Sequence, residues 1–397
     1  MSKVVGRFWL GILAALLVCV FALPALAQEK KEIAFGYSIS LTGKFSTDAT
    51  DTHKAYQMWA ENTNKAGGIN IKGRKLPIKL IHYDDASDTN SAIRNYERLI
   101  TRDEVDFLLS PWGSGPNFAV TAVTEKYRHP MVLSSAAADR IFERNFKYIF
   151  GATQIASNFY ESLGDYLATV KDQVQTVAIA HENFLFTQSL HDFLIKKLQS
   201  LGVRVLVDEQ YPLGGQDFTS LLTKVKAANP DAFIVIDIMP SAVYMTRQMT
   251  EVGFRPKLYA VNIGPMFTEE FIGTLGKSSE NVVENGFWHH ELPYEGAQKF
   301  FTDFVARYKK NPSTDAAYGT IATSILQQAI ERAGTLDREQ VTQTLRTGKF
   351  ETILGPYEFD ARGVNKDQLS FLVQVQNGQR TIVWPKEIAK SGLKLPY

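Results

Sequence analysis

The segment Ser110-Pro111-Trp112-Gly113-Ser114-Gly115-Pro116-Asn117 stands where an apolar run gives way to a helical pattern. Backbone N–H groups at the start of a helix lack intrahelical partners and carry positive partial charge. With the Ser114 hydroxyl beside them, and Trp112 and Gly113 flanking, the chemistry on offer is capture of a carboxylate. A second run of small residues, Ser134-Ser135-Ala136-Ala137-Ala138, follows the next apolar run, and its backbone can approach a ligand closely. An ordinary helix cap and a tight packing loop are the alternative reading. For the rest of a ligand the chain offers Phe45, Trp112, Phe184, Phe186 and Met239. An amino acid would also need an acid for its ammonium group, because an unpaired buried ammonium costs several kcal/mol. Asp237 and Glu182 are the acids at strand ends, near Ile238 and Asn262.

Enzymatic chemistry is poorly served. Gly113-Ser114-Gly115 lacks both the full G-x-S-x-G and the later glycine of G-x-G-x-x-G. A Gly-Lys-Ser/Thr phosphate loop is absent. His289-His290-Glu291 is the clustered metal-type run, but adjacent residues on a strand face opposite ways, so a structural role is expected. Asp84-Asp85 reads as a pair that caps a loop. No catalytic residue, cofactor or metal is expected.

The elements that must position these residues alternate strand and helix. Ile33–Ile39, Leu76–Tyr83, Val105–Ser110 and Pro130–Ser135 read as strands, with helices over Thr52–Ala66, Ala92–Ile100 and Asn117–Tyr127. The rhythm restarts after Gly151. Helix Ile155–Val170 leads to strand Thr176–His181, and further pairs end in strands Val203–Val207, Ala232–Asp237 and Lys257–Val261. Helices over Gly296–Tyr308, Ala316–Ala333 and Asp337–Thr347 follow, then a hairpin through Asn377-Gly378. Such repeats predict an α/β fold with parallel sheets covered on both faces. Open parallel sheets bind ligands beyond the carboxyl ends of their strands, where the candidates stand.

The chain has 397 residues with 43 Lys+Arg and 42 Asp+Glu, a balance that argues against nucleic acid as partner. One cysteine excludes an internal disulfide. Residues 1–27 carry Lys3 and Arg7, then an uncharged apolar stretch ending Ala25-Leu26-Ala27, the pattern of a cleaved signal peptide. Cys19 follows Val18 inside that stretch and reads as filler rather than a lipid anchor. An uncleaved membrane anchor is the alternative.

Several segments carry a family resemblance in order: Ser40-Leu41-Thr42-Gly43, Asn64-Lys65-Ala66-Gly67-Gly68-Ile69, Lys72-Gly73-Arg74-Lys75-Leu76 and Tyr83-Asp84-Asp85-Ala86-Ser87-Asp88. Gln216-Asp217-Phe218-Thr219, Asn229-Pro230-Asp231-Ala232, Leu354-Gly355-Pro356 and Phe359-Asp360-Ala361-Arg362-Gly363 continue it. Together they resemble the leucine/isoleucine/valine-binding family of periplasmic solute-binding proteins of ABC importers. The resemblance implies two doubly wound parallel-sheet lobes joined by three crossovers, with the ligand in the cleft. Lobe 1 is expected over 28–152 plus about 291–356, lobe 2 over 153–290 plus about 357–385, and a tail over 386–397. Positions matching Ser114, Ala136 and Ala138 hold a ligand carboxylate in that family; some members have a hydroxyl at the last. Amino-acid binders carry a glutamate at the position of Asn262 and a tyrosine at that of Ile238. The expected ligand is therefore a small organic acid with an apolar or aromatic body, with a branched-chain amino acid as alternative. The expected setting is a periplasmic monomer that delivers its ligand to an ABC permease in the inner membrane. A sensor on the same fold or an exported hydrolase are the rival readings.

Overall fold

The computed structural model describes residues 30–367 and 369–397. The expected signal segment, its cut after Ala27, and Cys19 lie outside the described residues. No helix among the described residues is long and apolar enough to cross a membrane.

Strand β1 (Ile33–Ile39) leads into helix α1 (Ser46–Lys65), which buries Ala55, Met58 and Trp59. The helix stops at Gly67-Gly68, where φ is +99° and +105° and a Cβ on Gly68 would stand 2.2 Å from the Leu76 carbonyl oxygen. A short hairpin, β2 (Ile69–Ile71) and β3 (Arg74–Leu76), precedes β4 (Ile78–Asp84). Helix α2 (Thr89–Thr101) is capped by Asp88, whose carboxylate accepts from the Ser91 amide at 2.7 Å. Strand β5 (Phe107–Leu108), helix α3 (Ser114–Lys126), β6 (Met131–Leu133) and β7 (Ile149–Gly151) complete the first pass. β4, β1 and β5 pair in parallel in that order, as do β6 and β7. The paired parts of β5 and β6 are shorter than the apolar runs suggest. Pro111 and Pro130 bring no amide to a ladder, and the Ser110 carbonyl accepts from the Tyr56 hydroxyl instead.

The second lobe opens with α4 (Ala156–Phe159) and α5 (Glu161–Thr169), one expected helix broken at Tyr160. Strand β8 (Thr176–Glu182), α6 (Leu185–Leu201), β9 (Arg204–Tyr211), α7 (Thr219–Ala228), β10 (Ala232–Ile236), α8 (Met239–Glu251), β11 (Leu258–Val261) and β12 (Val283–Gly286) follow. β8 and β10 are buried along their whole length, as strands covered on both faces must be.

The chain then returns to the first lobe. Helices α9 (Ala297–Tyr308), α10 (Thr314–Ala333) and α11 (Arg338–Thr347) precede the hairpin β13 (Lys349–Thr352) and β14 (Gly355–Glu358). α10 lies on α1: Gly319 sits against Ala55, and the Trp59 indole N–H donates to Gln327 at 2.8 Å. Val364 still bridges to Gly151 of the first lobe. The last pair, β15 (Phe371–Gln376) and β16 (Gln379–Trp384), turns through Asn377 and Gly378 at φ +55° and +71°, as the Asn-Gly pair demands. They complete a seven-stranded sheet in the order β16-β15-β12-β11-β10-β8-β9. Residues 386–397 lie against this lobe as a strap. Gln374 and Gln376 donate to the Lys394 and Gly392 carbonyls, and the Tyr397 ring meets Tyr259 at 5.0 Å.

Contacts cross between the lobes at the cleft. The Met239 amide donates to Asp48 at 3.3 Å, and the Asn311 amide to Glu269 at 2.8 Å.

Candidate functional site

The first-lobe wall is the tip of α3. Gly113 takes φ +89°, which lets the chain turn sharply into the helix. Asn117 fixes that turn by donating to the Pro111 and Gly113 carbonyls, each at 2.9 Å. Ser114 Oγ accepts from the Ala137 and Ala138 amides at 3.1 and 3.2 Å. Among the described residues nothing accepts the Ser114 proton. The hydroxyl is polarised by two amides and keeps its own O–H to donate. The amides of Ser114 and Gly115, in the first turn, have no intrahelical acceptor. Pro116, lacking an N–H, leaves none wasted.

This tip faces a cavity between the lobes, about 500 Å³ with its open mouth included. Of the residues singled out from the sequence, Trp112, Gly113, Ser114, Ser135, Ala136, Phe184 and Phe186 line it. Phe159, Phe287, Ile263 and Met266 add to the apolar wall, with Phe159 4.1 Å from Phe287 and 5.5 Å from Phe186 between ring centres. Thr153, Ala137, Thr314, Asp315 and Tyr318 complete it.

The other candidates stand elsewhere. Ala138 is fully buried and spends its amide on Ser114, so it braces the hydroxyl instead of lining the cavity. Phe45 packs behind the wall, its ring 5.3 Å from Trp112 and 5.4 Å from Phe184. Ile238 caps α8 and its amide donates to Glu182 at 3.0 Å. Glu182 also accepts from the Gly214 amide and the Ser241 hydroxyl, so no lone amine partner remains there. Asn262 and Asp237 are fully buried, and neither side chain has a hydrogen-bond partner among the described residues.

Burial pushes the Asp237 carboxyl well above its ordinary range, reinforced by Glu182 and Asp48 nearby. The folded state therefore holds a proton there that the unfolded chain releases near pH 4. Stability from this group is present at low pH and lost as pH rises. Replacing Asp237 with Asn should raise the melting temperature at pH 8 by on the order of 5 °C and change it little at pH 4. Equal shifts at both values in thermal melts would contradict the assignment.

Among the described residues Asp315 is the one carboxyl lining the cavity. Sequence reading missed it because Ser313-Thr314-Asp315 looks like a plain helix start, and Ser313 does cap α10. Its oxygens accept from Trp112 Nε1 at 3.1 Å and Ser135 Oγ at 3.4 Å. Burial, then the nearby Asp51, push its carboxyl up to about 7 against those bonds.

For a metal, His181, His191 and Asp208 bring ligand atoms within 4.8 Å of one another. They come from β8, α6 and β9, which no local spacing could reveal. The two imidazoles stack at 4.1 Å with planes 22° apart. His191 Nε2 is bonded to Asp208 at 3.0 Å. His289 and His290 also stack, at 4.5 Å, in the second crossing beyond β12 and not on a strand. His289 is tied to the Glu291 amide and the Arg380 carbonyl. Asp84 and Asp85 hold the 40–43 loop: Asp84 accepts from the Leu41 amide at 2.9 Å, and Asp85 from Ser40 Oγ at 2.6 Å.

Two lobes built on mainly parallel sheets and crossed three times by the chain, with a cavity between them, define a two-lobe α/β fold. The family model described as "Periplasmic binding protein" matches residues 32–380, and the chain belongs to that family. It is 26% identical over 358 residues to a leucine-, isoleucine-, valine-, threonine- and alanine-binding protein of Pseudomonas aeruginosa, covering 89% of this chain and 91% of that one. Among solved structures, a branched-chain amino acid transporter substrate-binding protein from Streptococcus pneumoniae in complex with isoleucine superposes with TM-score 0.80 at 22% identity, covering 89% of this chain and all of that one. An ABC transporter solute-binding protein of R. palustris in complex with benzoate superposes with TM-score 0.77 at 17% identity, covering 88% and 95%.

Proposed function

We propose that the protein is an extracytoplasmic solute-binding protein that captures a small carboxylate with an apolar or aromatic body. The ligand bridges the lobes, stabilises the closed state, and is handed to an ABC permease. The protein acts as a monomer in the periplasm after its signal peptide is removed. The observation that carries the ligand class is the cavity itself: a donor-rich helix tip at one end, with Phe159, Phe184, Phe186 and Phe287 around the rest. The benzoate-bound relative supports this reading. A second reading, a branched-chain amino acid, is favoured by the Pseudomonas and Streptococcus relatives and by Asp315 in the wall.

Titration calorimetry against benzoate and leucine separates the two. Benzoate should bind with a Kd at least about 100-fold lower, a difference of about 3 kcal/mol. Tight leucine binding would replace the first reading with the second. Small-angle scattering should show compaction with the bound acid; an unchanged radius would remove hinge closure from the mechanism.

A further inference from the structure

A carboxyl on the wall of an otherwise apolar cavity is costly unless something pairs with it. Among the ion pairs of the described residues none includes Asp315; the nearby Lys54 and Lys310 serve Asp51 and Glu270. What holds Asp315 is one donor on each oxygen, from Trp112 and Ser135. A carboxylate oxygen accepts more than one hydrogen bond, so each retains capacity. The residue is only half-buried and lines the cavity. Its two donors belong to the segments that build the anion-capturing tip, being neighbours in sequence of Gly113 and Ala136. A ligand whose carboxylate sits at Ser114 therefore carries its body past Asp315.

We infer that Asp315, with Trp112 and Ser135 as its braces, forms a second polar subsite that selects ligands bearing a hydrogen-bond-donating substituent, a hydroxyl or an amine, besides the captured carboxylate. The inference rests on the reading of the cavity as a carboxylate site and adds what the ligand's body must carry. Bare apolar acids leave the Asp315 oxygens short of a partner, which is how a site built to bond a hydroxyl discriminates.

The test is calorimetry on the whole protein with two matched pairs. Benzoate is set against 3- and 4-hydroxybenzoate, and 4-methylpentanoate against leucine, which differs from it by the amine alone. In the native protein the donor-bearing member of at least one pair should bind about 10–100-fold tighter. The hydroxyl pair and the amine pair distinguish the two sources of the donor. In Asp315→Ala that preference should collapse to about twofold or less. Circular dichroism and a thermal melt on the same variant show that it folds. Asp315→Asn, which keeps one acceptor and the shape, should retain an intermediate preference. No preference in either pair, or a preference that survives Asp315→Ala, overturns the inference. If no acid of the benzoate series binds, the aromatic-acid reading fails while the leucine pair still decides the role of Asp315.

Discussion

Replacing Ser114 with Ala should weaken binding of the captured acid by about 10–100-fold, the cost of one hydrogen bond to a charged group. The Ser114 hydroxyl is not a free rotor. Two amides, from Ala137 and Ala138, donate to its oxygen and leave the proton to point elsewhere. Removing the hydroxyl does two separable things. The ligand loses its side-chain donor, while the helix-tip amides of Ser114 and Gly115 persist, so binding is weakened and not abolished. The Ala137 and Ala138 amides also lose their acceptor, which costs stability with no ligand present. The unliganded variant should therefore melt a few degrees lower, and calorimetry should show the affinity loss on top. An unchanged Kd would mean that the tip of α3 does not receive the carboxylate.

The second large effect is on stability. Gly363→Ala should destabilise the protein by about 3 kcal/mol or more, read from urea unfolding. Gly363 lies near the third crossing at φ +85°, and a Cβ there would stand 2.2 Å from the Ile149 carbonyl oxygen. Backbone cannot move aside as a side chain can, and the Gly151 amide donates to the Gly363 carbonyl at 2.7 Å. Gly378→Ala is the control. Its φ is +71°, but nothing lies within 4 Å of the added carbon, so only the conformational cost of about 1 kcal/mol remains. Equal losses in the two variants would show that the close approach at Gly363 is relaxed at no cost.

The fold was legible where burial is uniform. β8 and β10 read as apolar runs at nearly their true limits, because a parallel strand covered on both faces has no polar alternation to blur it. The first lobe was less exact. Ser110 belongs to an apolar-flanked run, yet its carbonyl accepts from Tyr56 and the strand leaves the ladder early. The terminal strap could not be read from periodicity, since carboxamides on β15 hold it to the sheet. The site divides the same way. The tip of α3 is local, so Gly113 and Ser114 announce it. Phe159, Phe287 and Asp315 reach the same cavity from three distant stretches, and each looks like ordinary core or capping in its own neighbourhood. Asp237 misled for a related reason: a strand-end acid suggests an amine partner, but its side chain is fully buried and does not line the cavity.

The order in which the chain visits its two halves bears on its biogenesis. α10 closes over α1, and β15 and β16 extend the sheet begun by β8 to β12. Neither hydrophobic centre is finished until the closing segments have been made. Each lobe thus takes its last packing partners from a stretch that lies beyond most of the other lobe in the sequence, so the two halves cannot be completed one after the other along the chain.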